Sequence, residues 1–264
     1  MKKDRSIIDD IKITDNILFT SVFENINIIK KFIEVVLKFR IIDIKIIQKE
    51  KVVDSVGKSR GVRFDVYVED DNNKIYDIEI QTSDEKDLLK RLRYYQGCLD
   101  INHLNKGDSF NDLKTTYIIF ICMFNPFKNL GLDNYIYNIE PYIKCNDTVV
   151  KSDDDSHKIV INTKYDITKI GDIELKSFIE LMNDGFKPVT KSDLTDMIVN
   201  EANRIKKDEE WSEKYMEVME QYALEKIKNV VINMLLNSVN DDVILKCAEI
   251  TQEQLNEIKK EVQL

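Results

Sequence analysis

Residues 60–81, RGVRFDVYVEDDNNKIYDIEIQ, carry the clearest structural pattern of the chain. They contain two alternating runs, RFDVYVED and KIYDIEIQ, joined by the polar segment DDNN. Period-two alternation with β-branched and aromatic residues is typical of strands, and Asn and Asp tolerate the left-handed backbone of a tight turn. We therefore predict a β-hairpin.

The register of this hairpin determines which side chains meet. If the hairpin closes symmetrically about Asn72, residues pair when their numbers sum to 144, and Asp65 lies opposite Glu79. Facing carboxylates repel each other unless a cation or a proton compensates, and a divalent, oxygen-seeking metal ion fits such a pair. The alternative is a solvent-facing sheet surface that carries acids, which is common in antiparallel hairpins. Period-two geometry places Asp65, Asp77, Glu79 and Gln81 on one face, and Phe64, Val66, Val68, Ile78 and Ile80 on the other.

The rest of the chain predicts an α/β core followed by helices. Spacings of three and four indicate an amphipathic helix over 15–39, capped by Thr14 or Asp15, and a second helix over about 84–103. Strands are predicted at 41–48 and 115–124 and in the segments NYIYNIEPYIK and HKIVINTKY, and a helix is predicted to end at Gly185. We expect a domain over 1–188 and a helical C-terminal region over 189–264.

Composition and charge exclude several classes of protein. With 7 Gly, 3 Pro and 43% hydrophobic residues, the 264-residue chain is neither low-complexity nor disordered. No apolar signal-peptide segment or membrane-spanning run is visible, so we expect a cytoplasmic protein without a membrane partner. The net charge is −9, but residues 1–131 hold 22 basic and 21 acidic residues, so the excess acid lies in the second half. The first half could therefore still bind a polyanion through a local basic strip.

A family resemblance is carried by the hairpin and the segments after it. Asp65 followed by Glu79-Ile80-Gln81 resembles the D-(x)n-E-x-K signature of PD-(D/E)XK nucleases, in the variant in which glutamine replaces lysine. Over residues 15 to about 185 the chain is similar to the Rpn group, the recombination-promoting nucleases and putative transposases of that superfamily. The resemblance rests on five blocks in family order: RGVRFDVYVED, YDIEIQ, KRLRYYQG, LNKGDSFNDLK and YIIFICMFNPF.

The resemblance implies a restriction-endonuclease-like fold, with a mixed central sheet flanked by helices, and metal-dependent cleavage of DNA. By position, Asp65 and Glu79 would ligate Mg²⁺ or Mn²⁺, the backbone carbonyl of Ile80 could add a ligand, and Gln81 would occupy the lysine's place beside the attacking water. Phe64 stands where the family signature has proline. In some members of the superfamily an acid from the first helix completes the site, and here Glu24 and Glu34 both stay open.

The segment KRLRYYQG supplies candidate DNA contacts. Lys90, Arg91, Arg93 and Tyr94 could contact phosphates, although an ordinary solvated helix face explains the charges as well. The resemblance places Arg91 and Tyr95 where the family carries an Arg and a Tyr close to the active site. Tyr95 also lies on the stripe Leu88, Leu92, Tyr95 and Leu99, which we predict to be buried, so packing explains it equally well.

Two functions follow from these residues. The first is a Mg²⁺-dependent DNA endonuclease associated with recombination, transposition or defence against mobile DNA. The second is a catalytically weak nuclease fold that acts as an interaction module through its C-terminal helices, which could also form a homo-oligomer. Gln81 keeps the second function open because an amide cannot carry a positive charge.

Overall fold

The structure is a computed structural model, and it describes residues 6–53, 61–185 and 188–262. The chain forms two compact units, one that ends at Ile205 and one that begins at Lys206. The first unit holds all described strands. These strands are β1 (Ile44–Val53), β2 (Val62–Asp70), β3 (Ile75–Gln81), β4 (Thr116–Cys122), β5 (Ile136–Ile139), β6 (Tyr142–Cys145), β7 (Thr148–Lys151) and β8 (Ser156–Asn162).

Helices account for most of the remaining described chain. Up to the end of the first unit they are α1 (Ser6–Asp10), α2 (Asn16–Phe23), α3 (Ile26–Leu37), α4 (Leu88–His103), α5 (Ile173–Asp184) and α6 (Asp193–Lys207), the last of which continues for two residues into the second unit. The second unit adds α7 (Glu209–Leu236), α8 (Asp241–Ala248) and α9 (Gln252–Val262). Among the described residues no helix is long and apolar enough to cross a bilayer.

The central sheet is mixed, in the strand order β1-β2-β3-β4-β8-β5. Strands β1, β2 and β3 are antiparallel, β3, β4 and β8 are parallel, and β5 returns antiparallel on β8. Strands β6 and β7 form a separate two-stranded hairpin. This architecture confirms the predicted α/β fold with a mixed sheet flanked by helices and a helical C-terminal extension.

One layer of the core lies between the sheet and α4. The predicted stripe is confirmed, since Leu92 and Leu99 are buried and Leu88 and Tyr95 pack beside them. Their partners come from neighbouring strands of the sheet and include Tyr67, Ile118, Phe120 and Val160. This packing fixes α4 against β3 and β4, and it therefore fixes which side chains of α4 reach the end of β3.

The hairpin has the predicted register. Val66 pairs with Ile78 and Tyr67 with Asp77, so the residue numbers of each pair sum to 144. The predicted alternation is wrong at Phe64, however, because its ring contacts Tyr95 at 5.5 Å on the α4 side of the sheet. Tyr67, three residues later, packs on the same side. The alternation of β2 breaks opposite Glu50 of β1, which has a left-handed φ of 49°.

Other predicted elements differ in their bounds. The single helix expected over 15–39 is two helices, because Asn25 leaves the helical conformation and caps α3 by accepting the Asn27 N–H at 3.1 Å. Asp15 caps α2, as one of the two alternatives predicted. The segment NYIYNIEPYIK holds two strands separated at Glu140-Pro141, and β7 was not predicted.

The second unit has a small core of its own. Val231 of α7, Ile244 of α8 and Leu255 of α9 are buried together. Asn240 caps α8 by accepting the Asp242 N–H, and Thr251 and Gln254 form a capping box at the start of α9. These caps explain why the C-terminal sequence forms separate short helices.

Candidate active site

The acids of the hairpin are buried rather than solvent-facing. Asp65 is 8% exposed, Glu79 2% and Asp77 0%. The alternative of acids on a wet sheet surface is therefore wrong for these residues. Burial of carboxyl groups is costly unless a proton, a cation or hydrogen bonds compensate, which makes this cluster unlike an ordinary sheet face.

Asp65 and Glu79 are joined by reciprocal hydrogen bonds across β2 and β3. The Asp65 backbone N–H donates to Glu79 Oε1 at 2.7 Å, and the Ile80 N–H donates to Asp65 Oδ2 at 3.1 Å. Each carboxyl group thus bonds to the backbone of the other strand. The register of the hairpin and the break in alternation at Asp65 together produce this arrangement.

Asp77 is the third carboxyl group of the cluster. Both of its side-chain oxygens are buried and accept no hydrogen bond from a fixed donor of the described chain. The neighbouring Glu79 can serve as its hydrogen-bond partner only if one of the two groups carries a proton. Asp77 and Glu79 are therefore neighbouring buried acids whose negative charges oppose each other.

The electrostatics of the cluster follow from this burial. Burial raises the pKa of Asp65 to about 6, against the opposing effects of the Ile80 N–H and Arg63. The pKa of Glu79 is raised well above its usual range, first by burial and then by the charges of Asp77 and Asp65. Burial, followed by the charge of Asp65, also raises the pKa of Asp77. A positive ion placed among these oxygens would relieve the repulsion.

Gln81 and Arg91 lie at the end of β3 beside the acids. Arg91 Nη1 donates to Gln81 Oε1 at 2.5 Å, and Nη2 donates to the Tyr95 hydroxyl at 3.5 Å. The ring of Tyr95 lies edge-on to Phe64 and Phe120, with ring centroids 5.5 and 5.4 Å away. Arg91 therefore belongs to the site, and its partner Tyr95 is held by the core.

A polar cleft of about 480 Å³ opens onto these groups. The structure brings five predicted site residues together in its wall: Asp65, Glu79, Ile80, Gln81 and the candidate DNA contact Arg91. The other candidate DNA contacts, Lys90, Arg93 and Tyr94, are exposed on α4 and do not line it. The described residues that line it are Thr14, Asp15, Asn16, Arg63, Asp65, Glu79, Ile80, Gln81, Thr82, Ser83, Glu85, Arg91 and Tyr95.

The two candidate acids of the first helical segment lie elsewhere. Glu24 pairs with Lys49 at 2.8 Å, and Glu34 accepts the Ile41 N–H at 2.9 Å. The N-terminus of α2 reaches the cleft instead, through Asp15 and Asn16. Asp15 is occupied in capping α2, since it accepts the N–H groups of Ile17 and Leu18 at 3.0 and 3.1 Å.

The residues fit a divalent ion that keeps several water ligands. Gln81 O accepts the Met123 N–H at 2.8 Å, so carbonyls alternate along β3 and the Ile80 carbonyl points towards β2, the side of Asp65. Asp65, Glu79 and this carbonyl form a set of oxygens of the kind that Mg²⁺ binds. Across the described ranges no group of three or more His, Cys, Asp or Glu side chains is arranged to hold a metal ion. The remaining ligands would be water and substrate.

Sequence reasoning missed parts of the site. The sequence placed Asp77 on the same face as Glu79, two residues later, but Asp77 was not predicted to belong to the site. Arg63 also lines the cleft, although the sequence offered no reason to separate it from other surface arginines. Asp15 and Asn16 reach the cleft through tertiary packing of α2, which no local pattern encodes.

Comparison with protein families identifies the class to which this fold and site belong. Residues 16–223 match the family described as PD-(D/E)XK nuclease family transposase. The chain therefore belongs to this family, which confirms the resemblance and supports a nuclease. A search of curated proteins and a search of solved structures gave no match.

Proposed function

We propose that the protein is a metal-dependent DNA endonuclease that hydrolyses phosphodiester bonds in the cleft bounded by Asp65 and Glu79. One observation carries the proposal: two buried carboxyl groups, each bonded to the backbone of the other strand, face a polar cleft that also holds an arginine. A purely structural core would gain nothing from these charges, because burying them costs stability.

Asp65, Glu79 and the Ile80 carbonyl would hold Mg²⁺ or Mn²⁺. When bound, the ion supplies a nucleophile at neutral pH and stabilises the charge that develops on the phosphate. The amide of Gln81 would donate a hydrogen bond to a group in the cleft, and the walls of the cleft would orient the phosphate. Lys90, Arg93 and Tyr94 would contact more distant phosphates from the exposed side of α4.

The biological role that fits such an enzyme is recombination, transposition or defence against mobile DNA. These roles need the same chemistry, since each requires a cut in a DNA strand. The family to which the chain belongs supports a nuclease or transposase role. The proposal covers all three roles.

The test compares plasmid cleavage by the wild type with cleavage by Asp65→Asn and Glu79→Gln in the presence of Mg²⁺ or Mn²⁺. We expect both variants to lose cleavage and to bind Mn²⁺ at least 10-fold more weakly in calorimetry, because each loses a negatively charged ligand. Both should stay folded, since each substitution removes one charge from a repelling cluster.

Two outcomes would contradict the proposal. Equal nicking by the wild type and both variants would place the activity elsewhere or in a contaminant. A wild type that binds neither ion would favour the catalytically silent interaction module. Asp147→Asn, an exposed aspartate in the turn between β6 and β7, controls for the loss of an acid far from the described site.

A further inference from the structure

The bond between Arg91 and Gln81 fixes the orientation of the Gln81 amide. A guanidinium group only donates hydrogen bonds, so the atom that faces Arg91 must be the amide oxygen. The amide nitrogen Nε2 therefore lies at the other end of the group. Within the described part of the chain Nε2 has no hydrogen-bond partner, and Gln81 lines the cleft beside Glu79. Two N–H donors are thus available to a group in the cleft.

Aromatic side chains of the core hold Arg91 in place. Its guanidinium carbon lies 5.9 Å from the ring centroids of both Tyr95 and Phe120, and Nη2 donates to the Tyr95 hydroxyl. Arg91 is half-buried on the inner side of α4, whereas Lys90 and Arg93 are exposed. A half-buried guanidinium that is fixed by aromatic packing and two hydrogen bonds exerts its charge at a defined position.

The site otherwise has an excess of negative charge. Asp65, Asp77 and Glu79 contribute carboxyl groups, while position 81, two residues after Glu79, carries a neutral amide. Hydrolysis of a phosphodiester adds further negative charge in the transition state, and a fixed positive group or donor stabilises it. Arg91 is the cation that contacts the residue at this position.

We propose that Arg91 is a positioning residue that supplies, from α4, the positive charge missing at position 81, and that it orients the Gln81 amide as a donor to the reacting phosphate or water. The inference rests on the proposed nuclease function. It separates Arg91 from Lys90 and Arg93, which would act through affinity for DNA and not through the chemical step.

The test measures single-turnover cleavage at saturating DNA and metal, together with Mn²⁺ affinity and thermal stability. Arg91→Gln should lower the cleavage rate by roughly 100- to 1000-fold, the usual range for a lost transition-state donor, and leave Mn²⁺ affinity within about 3-fold of wild type, since the ligands remain. Gln81→Glu should lower the rate similarly, because a carboxylate pairs with Arg91 but offers no donor to the cleft. Lys106→Gln removes an exposed lysine after α4 and should cleave like wild type.

The double variant Gln81→Lys/Arg91→Gln is the decisive arm. It returns a positive charge to position 81. We expect it to cleave at least about 10-fold faster than Arg91→Gln alone, because a charged donor at that position restores part of the lost transition-state stabilisation. A merely structural role for Arg91 predicts no such rescue, because the second substitution does not rebuild the contact with Tyr95.

The outcomes separate this inference from the proposed function. Arg91→Gln that cleaves at the wild-type rate, or a double variant no faster than Arg91→Gln, overturns the inference and leaves the nuclease intact. A wild type without Asp65-dependent cleavage overturns both. If Arg91→Gln loses its fold, Gln81→Glu decides alone, since it keeps the arginine and a partner for it: wild-type cleavage by that variant overturns the oriented-donor role.

Discussion

Three buried carboxyl groups in one site should make both the stability and the metal affinity of the protein depend on pH. Asp65, Asp77 and Glu79 are buried together, and each has a pKa raised mainly by burial. The metal-free protein therefore keeps protons there at pH values at which free carboxyl groups are ionised. A metal ion has to replace those protons, so its binding should weaken as the pH falls.

The first residue-scale prediction concerns the stability of the metal-free protein. The pKa of Asp65 in the folded protein is about 6, above the value of about 3.9 for an unfolded chain. The folded state then binds the proton more tightly, so its contribution to stability is complete below about pH 4 and is lost as the pH rises through 6. Unfolding in urea should show the wild type less stable at pH 8 than at pH 4 by roughly 2 kcal/mol from this group.

Asp65→Asn is the matched variant for this measurement. It removes the titrating group, so the difference in unfolding free energy between pH 4 and pH 8 should shrink, whereas Asp147→Asn should leave it unchanged. Excess Mn²⁺ should raise the stability of the wild type at pH 8 by more than it raises that of Asp65→Asn, which binds the ion more weakly. A pH dependence identical in wild type and Asp65→Asn would show that Asp65 is not the group with the raised pKa.

At the scale of single elements, the hairpin was predictable and its surroundings were less so. Alternation and a polar turn specify a register, and the pairs Val66–Ile78 and Tyr67–Asp77 follow it. The side chain of Phe64 could not be placed, because the break opposite Glu50 depends on strand β1, which lies elsewhere in the sequence. The break at Asn25 was missed for another reason: the apolar spacing continues across it, and only the cap marks it.

Burial of the three acids could not be predicted from the sequence either. Asp65, Asp77 and Glu79 have the pattern of a solvated face, and the covering layer, α4, is set by packing of Leu92 and Leu99. The same packing turns Arg91 inwards to Gln81. A local pattern gives the spacing of charged residues on a helix, but it does not give which face another element covers.

The prediction for α4 follows from this division of its cations. Lys90 and Arg93 are exposed, and each neutralised phosphate contributes about −0.9 to the slope of log affinity against log salt on duplex DNA. Lys90→Gln/Arg93→Gln should therefore make the slope about 2 units shallower and weaken binding at low salt. Fluorescence anisotropy with a labelled duplex over a series of salt concentrations measures both quantities.

A control pair with the same change in charge is available. Lys106→Gln/Lys128→Gln removes two exposed lysines outside α4. The two double variants have equal net charge, so only local contacts can make their slopes differ. Equal slopes in both double variants would show that this face of α4 is an ordinary solvated surface and does not contact DNA.

At the scale of the whole molecule, charge and architecture divide the chain differently. The first 131 residues are nearly balanced, and most of the excess acid lies beyond them. The acidic excess therefore starts within the first unit, well before the division at Ile205 and Lys206. Charge composition alone did not mark a boundary, and the predicted boundary at 188 came from the change to a helical pattern.

The helix after that boundary, α6, contributes to the first unit. Leu194, Ile198 and Ala202 are fully buried, and Thr195 Oγ1 lies 2.7 Å from Ser177 Oγ of α5. Just before α6, the Thr190 N–H donates to Glu180 of α5 at 2.7 Å. A chain that ends at residue 188 would expose these partners and leave the buried Glu180 without its donor.

The last prediction tests where the unit that carries the site ends. We expect a chain that ends at Lys207 to bind Mn²⁺ with an affinity close to that of the full chain, because every described residue that lines the cleft lies before it. A chain that ends at Pro188 should be less stable by several kcal/mol or fail to fold, since burial of each large apolar side chain contributes about 1.5–3 kcal/mol. Urea unfolding and calorimetry with Mn²⁺ compare the two, and Leu194→Ala in the full chain, expected to cost about 2–5 kcal/mol, provides the matched measure of α6 packing.

Self-association separates the role of the C-terminal helices from that of α6. Sedimentation of the full chain and of the chain that ends at Lys207 should differ if α7 to α9 join two copies, while Mn²⁺ affinity should not. A chain ending at Pro188 that is as stable as the one ending at Lys207 would show that α6 belongs functionally with the helices after it. Loss of Mn²⁺ binding from a folded chain ending at Lys207 would instead show that the C-terminal helices complete the metal site, which the wall of the cleft gives no reason to expect.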